Sequence, residues 1–291
     1  MLFLLEDELF EKDVHGGQSF FLCSIIKKKE SVIVMCLVNI AFQVVPEVPL
    51  VLAANRDEYY NRPTAPSHWW EDVPHILAGR DLLKGGTWLG VSKSGRICAL
   101  TNYRDPSAFS GEKESRGHIV RSFLEGEMHA RTFLEELDRE KERYPGFNVI
   151  AGTREAMYSF SSKSDKPPYE LPPGIHSVSN AFMNTPWPKT IKAKKKLAEW
   201  AANYEQADYS GLFALLADET RAPDEQLPQT GISLEWERIL SPAFIKNKNN
   251  SYGTRSSTVI LMKQDNSIDW IERTFETGIF EREQCISFTK S

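Results

Sequence analysis

The chain has 291 residues and little cysteine. Cys23, Cys36, Cys98 and Cys285 are too few and too scattered for a disulfide framework at this length. No Cys-x-x-Cys occurs, and none of the six histidines is paired at the three- or four-residue spacing of a metal site. No resident metal or other cofactor is expected. Positive charge is also short: 35 Lys+Arg against 40 Asp+Glu leave a net charge of -5, which argues against a general nucleic-acid binder. No run of about 18 apolar residues exists, so no membrane span is expected. The start, Met1 to Asp7, lacks a positive n-region and is soon interrupted by acids, unlike a secretory signal. A cytoplasmic location follows as the expectation. Internal repeats, a Rossmann fingerprint and a Walker loop are absent too; Gly85-Gly86 precedes a strand-like segment, not a helix.

What is present changes character at Met35. Residues 1–34 show no sustained period of 2 or 3.6. Cys36 to Phe42 reads as a buried strand, and Pro49 to Ala54 as a second one after a turn. Residues 1–34 are read as a mis-assigned start or a mobile extension, and 35–291 as a single domain. The purine-rich codons of Lys29 and Glu30 suit a ribosome-binding site ahead of a start at Met35. Beyond the second strand, a Pro- and Trp-rich loop runs through Trp69-Trp70. Short strands follow, closing at Ile97 to Asn102. Helical stripes occupy 116–144 (Ile119, Val120, Phe123, Leu124; then Phe133, Leu134, Leu137). Strands over 147–151 and 156–160 come next. A helix opened by Thr185-Pro186 carries Ile191, Leu197, Trp200 and Tyr204, and a shorter one carries Leu212 to Leu216. Strands return over 258–262, 268–271 and 284–288. This order lacks regular βαβ alternation, so it predicts an α+β protein with antiparallel sheets and segregated helices.

Cys36 is the residue with the most chemistry. Translation from Met35 followed by Met removal leaves Cys36 with both a thiol and a free α-amine, so nucleophile and base come from one residue. Read alone, Cys36 is foremost a small buried strand residue, as most free cysteines are. Cys98 and Cys285, inside apolar strands, read as inert core residues. The run Lys189, Lys192, Lys194, Lys195 and Lys196 reads as a solvated helix face.

The blocks around Cys36 resemble a family. Met35-Cys36-Leu37, Asn55-Arg56-Asp57-Glu58, Arg62-Pro63, Gly85-Gly86 to Gly90, Ala99 to Tyr103, Arg116-Gly117, Phe147-Asn148, Ser179-Asn180-Ala181, Thr185-Pro186-Trp187 and Tyr252 to Arg255 are similar to the NRDE-motif family. Its eukaryotic members are called transport and Golgi organisation protein 2. The resemblance spans residue 35 to the end. It implies an N-terminal-nucleophile hydrolase-like fold, a four-layer αββα sandwich of two antiparallel sheets. More distantly similar cholylglycine and penicillin V amidohydrolases imply the roles: Cys36 as nucleophile, Arg56 beside it, Asp57 holding the α-amine, Asn102 and Asn180 as oxyanion donors, Arg255 bracing the nucleophile. A nearby cation would favour thiolate. In those enzymes the Arg and Asp are separated. Here Arg56 and Asp57 are adjacent, and strand geometry sends neighbours to opposite faces unless the chain turns. Glu58 is therefore the alternative acid. Glu58, Arg62 and Trp69 are candidate substrate contacts, with the pocket wall expected within 62–75.

Two functions are expected. The first is a cysteine amidohydrolase cleaving a small non-peptide amide through a thioester. The second is a non-enzymatic binding or trafficking protein for haem or another hydrophobic, lipid-derived ligand, suggested by His68-Trp69-Trp70 and His75.

Overall fold

Two interior strands are buried on both faces, which is why Cys36 to Phe42 and Leu50 to Ala54 read as largely apolar runs. In β1 (Met35–Phe42), Val38, Ile40 and Phe42 point to one side and Ala41 to the other. In β2 (Leu50–Tyr59), Leu50, Leu52 and Ala54 oppose Val51 and Ala53 in the same way. The computed structural model describes residues 35–106, 113–205, 208–247 and 252–291. Val34–Ser291 form one compact unit. The reading of residues 1–34 lies outside the described residues.

The chain builds two antiparallel sheets. The first sheet holds β1, β2, β10 (Gly174–Val178), β11 (Tyr252–Met262), β12 (Ser267–Glu276) and β13 (Ile279–Thr289), in the order β10-β1-β2-β11-β12-β13. The second runs in sequence order through β3 (Thr64–Trp69), β4 (Ile76–Asp81), β5 (Leu89–Ser92), β6 (Ile97–Asn102), β7 (Phe147–Gly152), β8 (Met157–Ser161) and β9 (Tyr169–Glu170). Val38, Ile40, Leu52, Ile260 and Trp270 of the first sheet pack with Leu77, Leu89, Val91, Ile97 and Ile150 of the second.

Helices cover both outer faces. α1 (Gly117–Glu125) and α2 (Ala130–Glu140) lay Ile119, Val120, Phe123, Leu124 and Leu134 on Cys98, Leu100 and Val149. On the other side α3 (Pro188–Ala202) and α4 (Ser210–Leu216) lay Ala193, Leu197, Leu212 and Phe213 on Val51, Ala53 and Val259. A short α5 (Leu234–Ile239) is capped by Ser233, whose hydroxyl accepts from Trp236 N. The expected four-layer αββα sandwich is the observed architecture.

Several local expectations change. The Pro- and Trp-rich segment is strand β3, which tolerates Pro66 because it is an edge strand with a register shift between Ala65 and His68. Trp70 is fully buried beneath α1 and donates its indole N–H to Ala78 O. His68 and Trp69 thus lie on strand β3, not on a loop, and Trp70 is a core residue. α3 starts at Pro188 with Trp187 as its N-cap, not at Thr185-Pro186. Ile191 is more than half exposed. Lys189 is buried, not solvated, because it opens the inward stripe Lys189, Ala193, Leu197, Trp200. Cys98 is a core residue, whereas Cys285 is exposed on edge strand β13.

Candidate active site

One end of the sandwich collects the sequence blocks that carry chemistry. At this end β1 begins, and its antiparallel register sets Cys36 opposite Arg56 and Met35 opposite Asp57. β11 reaches the same level from the other side of β2, with Thr254 opposite Asp57 and Ser256 opposite Arg56. Arg255 is the extra residue of a bulge between them. In the second sheet β6 ends here at Asn102, opposite Phe147. Hydrogen bonds tie the two sheets together at this end: Thr101 Oγ1 donates to Ser179 O (2.5 Å), and Asn148 Nδ2 to Ala181 O (2.9 Å).

β2 runs on to Tyr59 without a turn, so Arg56 and Asp57 take opposite faces. Arg56 shares its parity with Leu52 and Ala54, on the inter-sheet side with Glu58. Its guanidinium Nη2 is 3.6 Å from Glu58 Oε2, and Arg62 Nε is 3.7 Å from the same oxygen. Arg62 is held chiefly by Asp81, at 2.6 Å. Asp57 shares its parity with Val51 and Ala53, on the helix side. Its Oδ1 accepts from Thr254 Oγ1 at 2.6 Å, and that hydroxyl in turn accepts from Ile245 N. Buried atoms at this end without a hydrogen-bond partner include Arg56 Nη1, Asp57 Oδ2, the Tyr60 hydroxyl and Asn148 Oδ1.

The electrostatics differ from the sequence expectation in one respect. Cys36 is 5% exposed, and burial pushes its thiol up to about 12. The Asp57 charge adds to that rise, and the Arg56 cation opposes it without overcoming it. At neutral pH the thiol keeps its proton unless a base takes it. Burial likewise raises the Asp57 carboxyl, against the pull of Lys189. The Lys189 ammonium is lowered by burial while Asp57 opposes the drop. Lys189 donates to Leu240 O at 3.2 Å.

The remaining expected residues fall out as follows. Asn180 is buried and its Nδ2 donates to Asn102 O at 2.9 Å, so the two asparagines are joined directly. Ser179, to which the sequence reading gave no role, sits between them and the nucleophile. Its Oγ is 3.0 Å from the Cys36 carbonyl oxygen and 3.0 Å from Asn180 Oδ1. Arg255 donates through Nη1 to the carbonyls of Tyr59 and Tyr60, both at 2.9 Å. It thus braces the turn after β2, and its charge acts on Arg56 and Glu58. Trp69 is not brought to this cluster. It pairs with Leu77, level with Val91 and Ile97, at the opposite end of the sheet from Asn102, and its ring packs on Phe288 at 4.9 Å. Among the described residues no group of three or more His, Cys, Asp or Glu is placed to hold a metal ion.

Comparison with known proteins agrees with this architecture. The family model described as Transport and Golgi organisation 2 matches residues 35–277. The Transport and Golgi organization protein 2 homolog of Bos taurus is 32% identical over 257 residues, covering 82% of this chain and 93% of its own. The Homo sapiens homolog is 31% identical with the same coverage. A crystal structure of a variant conjugated bile acid hydrolase from Clostridium perfringens superposes with a TM-score of 0.50 at 9% identity, covering 87% of this chain and 92% of that one. That likeness concerns the fold alone, which is N-terminal-nucleophile hydrolase-like. Among the described residues no helix is long and apolar enough to cross a membrane.

Proposed function

The chain belongs to the Transport and Golgi organisation 2 family, and within it we propose that Cys36 is the nucleophile of a cysteine N-terminal-nucleophile hydrolase acting on a non-peptide amide. What supports the reading most is a pair of buried, unpartnered polar atoms on the strand opposite Cys36: the Arg56 Nη1 donor on the inter-sheet face and the Asp57 Oδ2 acceptor on the helix face. Unsatisfied buried groups are costly, and two on adjacent residues level with the start of β1 are suited to partners that a freed α-amine and a substrate would supply.

Removal of Met35 frees the Cys36 α-amine at the level of Asp57. The amine then has an acceptor in Asp57 Oδ2, whose other oxygen is held by Thr254. A thiol raised to about 12 needs this local base, because its own thiolate fraction at neutral pH is negligible. The amine takes the thiol proton as Sγ attacks the amide carbonyl carbon. The tetrahedral oxyanion is held between Asn102, at the end of β6 in the second sheet, and Asn180, just beyond β10 of the first. The C–N bond then breaks, the amine product leaves with the proton from the α-ammonium, and water hydrolyses the thioester. Asp57 and Glu58 are assigned different work: Asp57 holds the amine from the helix side, and Glu58 fixes Arg56 and Arg62 on the inter-sheet side.

The test is the intact mass of the protein expressed from its own upstream region, together with Cys36→Ala. The expected outcome is a mature chain beginning at Cys36, with turnover of an amide-substrate panel lost in Cys36→Ala at unchanged thermal stability. Active protein whose Cys36 amine is still within a peptide bond would overturn the mechanism.

A further inference from the structure

Arg116, the residue before α1, has a placement the mechanism above does not use. Gly86 and Gly117 are packed backbone to backbone: a Cβ on Gly86 would lie 2.5 Å from the Gly117 carbonyl carbon. Only glycine permits that approach. The contact presses the start of α1 onto the loop before β5, and Thr87 N donates to Gly117 O at 3.3 Å. Arg116 Nη1 donates to Gly146 O at 2.9 Å, the same carbonyl that accepts from Tyr103 N. Tyr103 follows Asn102, whose carbonyl binds Asn180, and Ser179 reaches the Cys36 carbonyl. The guanidinium charge acts on Cys36 and Glu58, and burial brings it down to about 10. Arg116 is partly buried and forms no ion pair among the described residues. Its Nε and Nη2 donate to no protein acceptor there. The buried Arg56 Nη1 is a second unpartnered donor in the same neighbourhood.

We propose that Arg116 is the anchor for a carboxylate on the ligand, bound through its free Nε and Nη2 edge at the end of the sandwich where β1 begins. A planar guanidinium with two parallel N–H groups matches a carboxylate in two-point fashion. The inference rests on Cys36 being the reactive residue. It adds a substrate class: an amide compound that carries an acidic group near the scissile bond. Arg116 is a specificity residue here, touching the ligand's acid and not the reacting carbonyl.

Iodoacetate and iodoacetamide test this on the mature protein that begins at Cys36, expressed from its own upstream region. Both alkylate a thiol by forming an S–C bond and expelling iodide, and they differ in a carboxylate against a neutral amide. Labelling rates at each cysteine are read by peptide mass spectrometry at one pH, with exposed Cys285 as internal reference. The iodoacetate-to-iodoacetamide ratio at Cys36, normalised to Cys285, should fall roughly tenfold in Arg116→Met, as removal of one close charge implies, and recover in Arg116→Lys. An equal normalised ratio in wild type and Arg116→Met overturns the anchor while leaving the nucleophile in place. Failure of both reagents at Cys36, with Cys285 labelled, removes the nucleophile reading and the anchor with it. If Arg116→Met does not fold, benzoate decides: slowing of wild-type Cys36 labelling by iodoacetamide supports the anchor, and no slowing overturns it.

Discussion

Two strands of the first sheet carry a run of three charged residues, and the runs have opposite meanings. Arg56-Asp57-Glu58 lies in β2, the strand between β1 and β11, and all three residues are buried. Glu281-Arg282-Glu283 lies in β13, at the edge of the same sheet, and all three are exposed. On the edge, charge costs little and protects unpaired strand groups against association with another chain. In the centre, each charge loses water and must be repaid by neighbours. The edge triplet has a simple partner, Glu283 at 2.6 Å from Arg273 of the neighbouring strand. The central triplet is only partly repaid: Arg56 Nη1 and Asp57 Oδ2 have no partner. Charge in the centre of the sheet is left incomplete, whereas charge at its edge is solvated.

Arg56→Met against Arg282→Met should give the largest contrast. Removing Arg56 leaves Glu58 buried with a weaker counter-charge, so unfolding stability should drop by about 3–5 kcal/mol. Arg282→Met should stay within about 0.5 kcal/mol. Denaturant unfolding measures both, and equal losses would erase the distinction between the two strands.

A smaller contrast lies within one helix. Lys189→Met removes a buried ammonium that bonds Leu240 O and faces Asp57, and should cost about 1–3 kcal/mol. Lys195→Met removes an exposed partner of Glu199 at 3.9 Å, and should cost no more than about 0.5 kcal/mol. Thermal melts of the two variants decide it; matched melting temperatures would return Lys189 to the solvated face.

The subtlest prediction concerns pH. The Asp57 carboxyl is raised in the folded state, mainly by burial. Between the ordinary carboxylate value and the raised one, the native protein binds the extra proton, so this group's contribution to stability falls as pH rises. Asp57→Asn cannot lose a proton, so the variant's stability relative to wild type should improve as pH rises through that window. Unfolding curves collected across it, with the difference flat or of opposite slope, would contradict the assignment of burial as the dominant cause.

Much of this was legible beforehand, for identifiable reasons. The layers follow from period: runs such as Cys36 to Phe42 can only be strands covered on both faces, and Ile119, Val120, Phe123 and Leu124 form a helical stripe. The adjacency of Arg56 and Asp57 already implied opposite faces, and the uninterrupted strand realises it. Other features were misread because a local rule had a tertiary exception. Pro66 looked like a loop signal, yet an edge strand with a bulge accepts it. Lys189 looked like its lysine neighbours, although its spacing to Ala193 and Leu197 puts it on the inward stripe. Trp69, expected at a pocket wall within 62–75, is carried by strand β3 to the far end of the sheet.

By itself, then, the sequence determined the fold class, the antiparallel sheets and the family. All of these rest on short-range periodicity or on residue types in order. Tertiary structure alone decided which charges are buried and what they act upon. It set the rise of the Cys36 thiol against the pull of Arg56, the partnership of Asp57 with Thr254 about two hundred residues later, and the seating of Arg116 by two glycines from separate segments. The physical reason is that desolvation and Coulomb energy depend on everything packed around a group, and that surrounding comes from chain segments no local pattern connects.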